Sequence, residues 1–163
     1  LFLSLCAFSS YIRIVTILGI VQMGLGWRSG VFLTGVVAIA LSYFVMAPVL
    51  TDAARAADQV YKTEPERGGR SEGGEELLRM RALGASLEVW REYLLRSTDA
   101  PTRERFIKLA AELDAKRGVP TQPAPTEAER SFRVLAPAFI ISQLQVAFSA
   151  GLKLLLPFLL IDL

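Results

Sequence analysis

The chain has 163 residues, 52% of them hydrophobic, with a mean hydropathy of +0.39 and a formal net charge of +2. That is more apolar than a typical soluble domain, where about half the residues are apolar with glycine included. The absence of histidine and the single cysteine, Cys6, exclude a Cys/His zinc site, a Ser–His catalytic pair and an intrachain disulfide.

Charge is confined to one stretch. All but three of the 18 Lys and Arg (Arg13, Arg28 and Lys153) lie between residues 52 and 133. So do all of the 16 Asp and Glu except Asp162. The chain therefore reads as a hydrophobic hairpin over 1–50, a polar insert over 51–133 and a third hydrophobic helix over 134–163. The insert is charge-balanced, which argues against the one-sided basic field that nucleic-acid binding needs.

Residues 1–25 are predicted to form the first hydrophobic helix. Ser9, Arg13 and Thr16 share one face at helical spacing. An arginine in mid-membrane costs about 2.5–3.5 kcal/mol on insertion scales, so Arg13 either snorkels and pairs for stability or faces a subunit interface or lumen. Leu1–Ala7 lacks the basic start and cleavage site of a signal peptide. Gly24–Gly30 reads as a turn, with Trp27 suited to a membrane–water interface. Val31–Leu50 is the second hydrophobic helix. Its Gly30, Thr34, Ala38 and Ser42 recur every four residues, a small-residue ridge for close packing at an interface. Pro48 follows in Phe44-x-Met46-Ala47-Pro48 as a candidate kink.

Within the insert, Thr51–Tyr61 extends the second helix. Arg67–Gly74 is a flexible loop; its Gly-Gly pairs lack the following Lys-Ser/Thr of a phosphate loop. Glu75–Ser97 is an amphipathic helix carrying Leu83, Leu87, Trp90 and Leu94. Asp99-Ala100-Pro101 punctuates, and Thr102–Arg117 is another amphipathic helix, with Phe106, Leu109, Ala110 and Leu113 inward and Gly118 as its stop. The insert's core is expected at Trp90 and Phe106. Glu88 and Glu92 are expected to pair with Arg91 and Arg96 at helical spacing. Pro120, Pro123 and Pro125 make a stiff connector.

The last helix is longer than the ~20 residues that cross a bilayer. Ser142, Gln145, Ser149 and Lys153 fall in a stripe roughly 80° wide, and Gln143 lies beside it. Ile140, Leu144, Ala147 and Gly151 occupy the opposite side, with Ala147 and Gly151 a small-xxx-small step for close approach. Pro137 is a second candidate kink, and Pro157 is expected to bend or end the helix.

Leu135-x-Pro137-Ala138-Phe139-x-x-Ser142-x-Leu144-x-x-Ala147-Phe148-x-x-Gly151, then Leu156-Pro157-Phe158-x-x-Ile161-Asp162-Leu163, resembles the signature of the FliP/SctR (YscR) family. These are export-gate membrane proteins of flagellar and virulence-type type III secretion systems. Phe44-x-Met46-Ala47-Pro48 is similar to the family's second motif, and Ser10-Tyr11-Ile12-Arg13 to a weaker first one. Gln143 stands where the family usually has Glu, and Lys153 where it usually has an apolar residue.

The resemblance implies an all-α fold of hydrophobic helices in hairpins with a small helical extramembrane insert. It implies a structural, non-enzymatic subunit without cofactor or metal, in several copies (five in the family) with two smaller membrane proteins. Together they form an entry portal for unfolded secreted substrates in the bacterial inner membrane, with the insert periplasmic and lipid around the assembly. It further implies a signal peptide upstream, and a Met-rich constriction and another hydrophobic helix downstream. On it, Gln143→Glu is expected to be tolerated; Gly151→Leu is not, because it fills the space needed for close helix approach. The alternative is a transporter or channel subunit for small solutes or ions, with Arg13, Lys153 and Asp162 as pathway charges. The inverted repeat that would favour this is not visible between the helices.

Overall fold

The computed structural model describes residues 10–26, 31–63, 72–118 and 131–162. Among these, five helices form and no strand: α1 Tyr11–Gly24, α2 Val31–Thr63, α3 Glu72–Ser97, α4 Ala100–Lys116 and α5 Phe132–Asp162. The all-α class read from the sequence is the observed one. Cys6, Ser9, Trp27, Arg28, Gly30, residues 67–71, the three connector prolines and Leu163 lie outside the described residues.

Helix ends follow local chemistry. Gly26 after α1 has φ 61° and Gly118 after α4 has φ 68°, a left-handed conformation that L side chains rarely adopt. Arg117 and Gly118 donate back to Leu113 and Ala115, satisfying terminal carbonyls of α4. Pro101 sits in the first turn of α4, where its missing N–H costs nothing. α3 starts at Glu72, so Glu72–Gly74, expected in a flexible loop over 67–74, are helical. The expected extension of the second helix past Leu50 is present and runs to Thr63.

All three candidate kink prolines, Pro48, Pro137 and Pro157, lie inside continuous helices. The expectation that Pro157 might end α5 is therefore corrected: the helix runs on to Asp162. A proline removes only its own N–H bond, and flanking turns in an apolar setting hold the helix together.

The chain packs as two compact units. One holds α1, α2 as far as Met46, and the stretch from Ser97 through α4 and α5; the other is Ala47–Arg96. Compactness and polarity thus divide the chain in different places. In the second unit Ala53, Ala82 and Leu94 are buried, and the Ser86 hydroxyl donates to both the Ala53 and Ala82 carbonyls. Trp90 packs edge-on against Tyr93. Trp90 and Phe106 do not share a core as expected: both are half-buried, and they belong to different units. Leu83, Leu87, Leu109 and Leu113 are exposed. An amphipathic pattern marks a face to be covered, and here the described residues leave these leucines open.

In the first unit α5 lies against both α1 and α4. Leu135, Ala138 and Phe139 are fully buried in the part of α5 that runs along α4. Covering a Phe or Leu side chain is worth about 1.5–3 kcal/mol each. Three pairings give the directions. A side chain on Gly151 would meet Ile20, and one on Gly24 would meet Leu155, so α1 and α5 are parallel and close. Ser10 meets Met46 and Gln22 meets Thr34, so α1 and α2 are antiparallel. Arg133 bonds Asp114 while Ser142 bonds Asp99, so α4 runs antiparallel to α5.

The close approach of α1 and α5 predicts a graded response. A Cβ at Gly151 would lie 2.6 Å from Ile20 Cδ1 and 3.1 Å from Ile20 Cβ, whose position the helix fixes. A Cβ at Gly24 would mainly displace Leu155 Cδ1, the movable end of its side chain. Gly151→Ala should cost about 1–3 kcal/mol and Gly24→Ala less. Gly35→Ala, with nothing within 4 Å, should be neutral or stabilising by up to about 1 kcal/mol. Thermal unfolding in detergent, followed by circular dichroism, measures this; equal losses at Gly151 and Gly35 would refute the close approach.

Candidate functional site

α5 is apolar for most of its length, yet two successive polar side chains on it are buried: Ser142 at 2% and Gln143 at 7% exposure. Both are used to hold the short link between α3 and α4. The backbone N–H of Asp99 donates to Ser142 Oγ at 3.0 Å. Gln143 Nε2 donates to the Ser97 carbonyl at 3.1 Å. Thr102 Oγ1 donates to the Asp99 carboxylate at 3.3 Å, and Thr98 and Thr102 are buried beside it. These bonds satisfy backbone groups at the end of α3 and the start of α4, which would otherwise be buried without partners.

A second tie lies further up α4. Arg133 Nη1 donates to both carboxylate oxygens of Asp114, at 2.7 and 3.0 Å, and the Asp114 side chain is only 15% exposed. Such charge-assisted bonds fix the height of α4 on α5.

Beyond Asp99, α4 no longer covers α5. There an open groove of about 450 Å³ begins, lined by Asp99, Ser142, Gln145, Val146, Ser149, Ala150 and Lys153. Asp99 of the link brings a carboxylate to it, and α5, whose other exposed residues are mostly apolar, brings a cation and uncharged polar groups. The opposite side of α5 is the one that α1 covers: Ala147 and Gly151 are buried there.

The sequence-derived candidates thus fall into three groups. Ser142, Gln143 and Gly151 are buried within the chain, as are Thr34, Ala38 and Ser42 of the small-residue ridge. Gln22 Nε2 donates to Thr34 Oγ1 at 2.6 Å. Gln145, Ser149 and Lys153 are exposed along the groove. Arg13 is exposed on α1. Sequence reading missed Asp99, which it took for punctuation before a helix, and Gly24, which it placed only in a turn. Nothing in their local sequence announces a partner over 40 or 130 residues away. Glu88 and Glu92 pair with Arg91 and Arg96, as their spacing led us to expect.

The sequence matches the FliP family over residues 2–163. It is similar to Pathogenicity-related ORF2 of Xanthomonas campestris pv. glycines, 34% identical over 158 residues, which are 95% of this chain and 66% of that protein. It is 33% identical to the hypersensitivity response secretion protein HrcR of Ralstonia nicotianae, across 95% of this chain and 67% of the relative. It is 30% identical to the flagellar biosynthetic protein FliP of Pectobacterium carotovorum subsp. carotovorum, across 98% of this chain and 55% of the relative. The chain therefore spans about two thirds or less of the length of these curated relatives.

The Gln143 bond reverses one expectation. Glutamate at 143 would place an ionised oxygen against the Ser97 carbonyl, two acceptors with no proton between them. Gln143→Glu should therefore cost about 1–3 kcal/mol at neutral pH. Ser142→Ala, which strands the Asp99 N–H, should cost a similar amount. Urea or thermal unfolding of the detergent-solubilised chain checks both. An unchanged midpoint for Gln143→Glu would show that the amide bond to Ser97 does not hold the link.

Proposed function

The chain belongs to the FliP family, and from that premise we propose that it is a structural, non-catalytic part of a type III secretion export apparatus in the bacterial inner membrane. The observation that carries this reading is apolar surface without a cover. α2 and α5 are long and apolar enough to cross a membrane. On them Phe32, Phe44, Leu160 and Ile161 are at least 76% exposed, with Tyr43 at 70%. Surface of this kind is stable only against lipid or other protein chains.

The finer reading follows the family. Several copies, five in relatives of this kind, assemble with two smaller membrane proteins into a closed helical portal that unfolded export substrates enter. The names of the relatives, one a hypersensitivity secretion protein and one a flagellar biosynthetic protein, support export of proteins as the task. The interior of the first unit supports a scaffold: its buried polar groups tie helices to one another.

The insert is proposed to be periplasmic. The chain leaves the first unit at Met46 and returns at Ser97. By the pairings of Ser10 with Met46 and of Asp99 with Ser142, both points lie at the end where α1 starts. Lys153 lies near the other end, level with Gln22 and Thr34. Which side the insert end faces is taken from the family, whose members place the insert in the periplasm.

Two measurements test the proposal. Light scattering on the detergent-extracted protein should give a mass several times that of one chain. A monodisperse monomer with native helicity would count heavily against the portal. In the parent bacterium, loss of the gene should stop secretion of type III substrates while general secretion continues; continued type III secretion would refute the role.

A further inference from the structure

The first unit has two unlike sides. On one side of α5, α1 packs against Ala147 and Gly151; on the other, the groove opens below Asp99. A subunit with a groove on one side of α5 and α1 on the other has two unlike faces, as head-to-tail association of copies requires.

The charges agree in height. Ile20 lies against Gly151 and Gly24 against Leu155, so the same step carries Arg13 to the level of Leu144. Asp99 is pinned by its N–H to Ser142, within one turn of that level. Copies arranged around an axis parallel to the helices keep these heights. Arg13 of one copy then stands at the height of Asp99 on the next.

Both groups lack a counter-ion among the described residues. Arg13 is exposed on a helix that is otherwise apolar except for Tyr11, Thr16 and Gln22, and it takes part in no ion pair there. The Asp99 carboxylate is exposed, accepts one bond from the Thr102 hydroxyl and meets no cation. A charge at the margin of an apolar zone is costly alone and much less so when paired. Lipid tails would leave Asp99, Gln145 and Ser149 unsatisfied.

We propose that the groove beside Asp99 is filled by the α1 side of a second copy of this chain, with Arg13 of that copy paired to Asp99. This rests on the homo-oligomeric reading above and adds to it a named contact and a direction of assembly. Gln145 and Ser149 then face the incoming helix and supply hydrogen bonds in place of water. Lys153, at the far end of the groove, faces the turn end of the same neighbour.

The test is made on the full-length protein in native membranes, after Cys6→Ser. Two differently tagged chains are coexpressed, one with Arg13→Cys and one with Asp99→Cys. A thiol crosslinker about 10 Å long is used, because an Arg–Asp pair is wider than a disulfide allows. A mixed-tag dimer is expected, and no dimer from either chain expressed alone. In a second arm, Arg13→Asp or Asp99→Arg should each lower the assembled fraction about tenfold or more, and the double exchange should restore it to within about twofold. Replacing Asp99 also removes the acceptor of the Thr102 hydroxyl, so Asp99→Asn, which keeps an acceptor oxygen there but no charge, controls for loss of fold. Assembly of the unaltered protein without a 13–99 crosslink, or with no effect of charge reversal, overturns this contact and leaves the portal reading standing. Failure of the unaltered protein to assemble removes both.

Discussion

The first unit depends on two adjacent hydrogen-bonding side chains in a helix that is otherwise built for oil. Ser142 and Gln143 hold the backbone of Ser97 and Asp99, and there α5 changes neighbours. Before them it runs with α4; after them it runs with α1. A helix made only of leucines could slide or turn against either neighbour, since dispersion contacts have little direction. Hydrogen bonds to fixed backbone groups have a strict geometry and remove that freedom. The Arg133–Asp114 bonds set the other end of α4 in the same way. Apolar burial gives the unit its stability, and a few polar atoms give it its register.

Much of this was legible in the residues. Helical periodicity and apolar runs placed all five helices, because both follow from local geometry and from the thickness of a bilayer. The step from Ala147 to Gly151 marked a close-packing side, and α1 occupies it. What the sequence withheld was the identity of partners. Ser142 and Gln143 read as members of or neighbours to a polar stripe, and periodicity gives no sign that a link some 45 residues earlier would take their bonds. The insert also misled. Its leucines at spacings of three and four promised a core around Trp90 and Phe106, yet Leu83, Leu87, Leu109 and Leu113 are exposed. An amphipathic pattern states that a face will be covered; it does not state by which molecule.

The same distinction separates the small-residue ridges. Thr34, Ala38 and Ser42 are buried within the chain, while the opposite face of α2 carries exposed Phe32, Val36, Tyr43 and Phe44. Small residues let helices of one chain come near one another, and large ones extend outward to lipid or to neighbouring subunits. For a portal this division has a use. Polar and small-residue contacts serve the interior of the chain, and the broad apolar surface is left for the proposed assembly.

The parallel pairing of α1 with α5 also has a consequence for biosynthesis. Gly151 is added to the chain about 130 residues after Ile20, its neighbour in the fold. At bacterial elongation rates of about 5–20 residues per second, α1 waits on the order of ten seconds for its partner. The antiparallel hairpin with α2 forms almost at once, because its loop is short. α1 therefore stands for that interval with its glycine face bare, a face shaped for the close approach of another helix. On this chain the order of synthesis opposes the order of contacts. A helper at the insertion site that shields one side of a newborn helix would relieve that conflict, and a slower ribosome would make it worse.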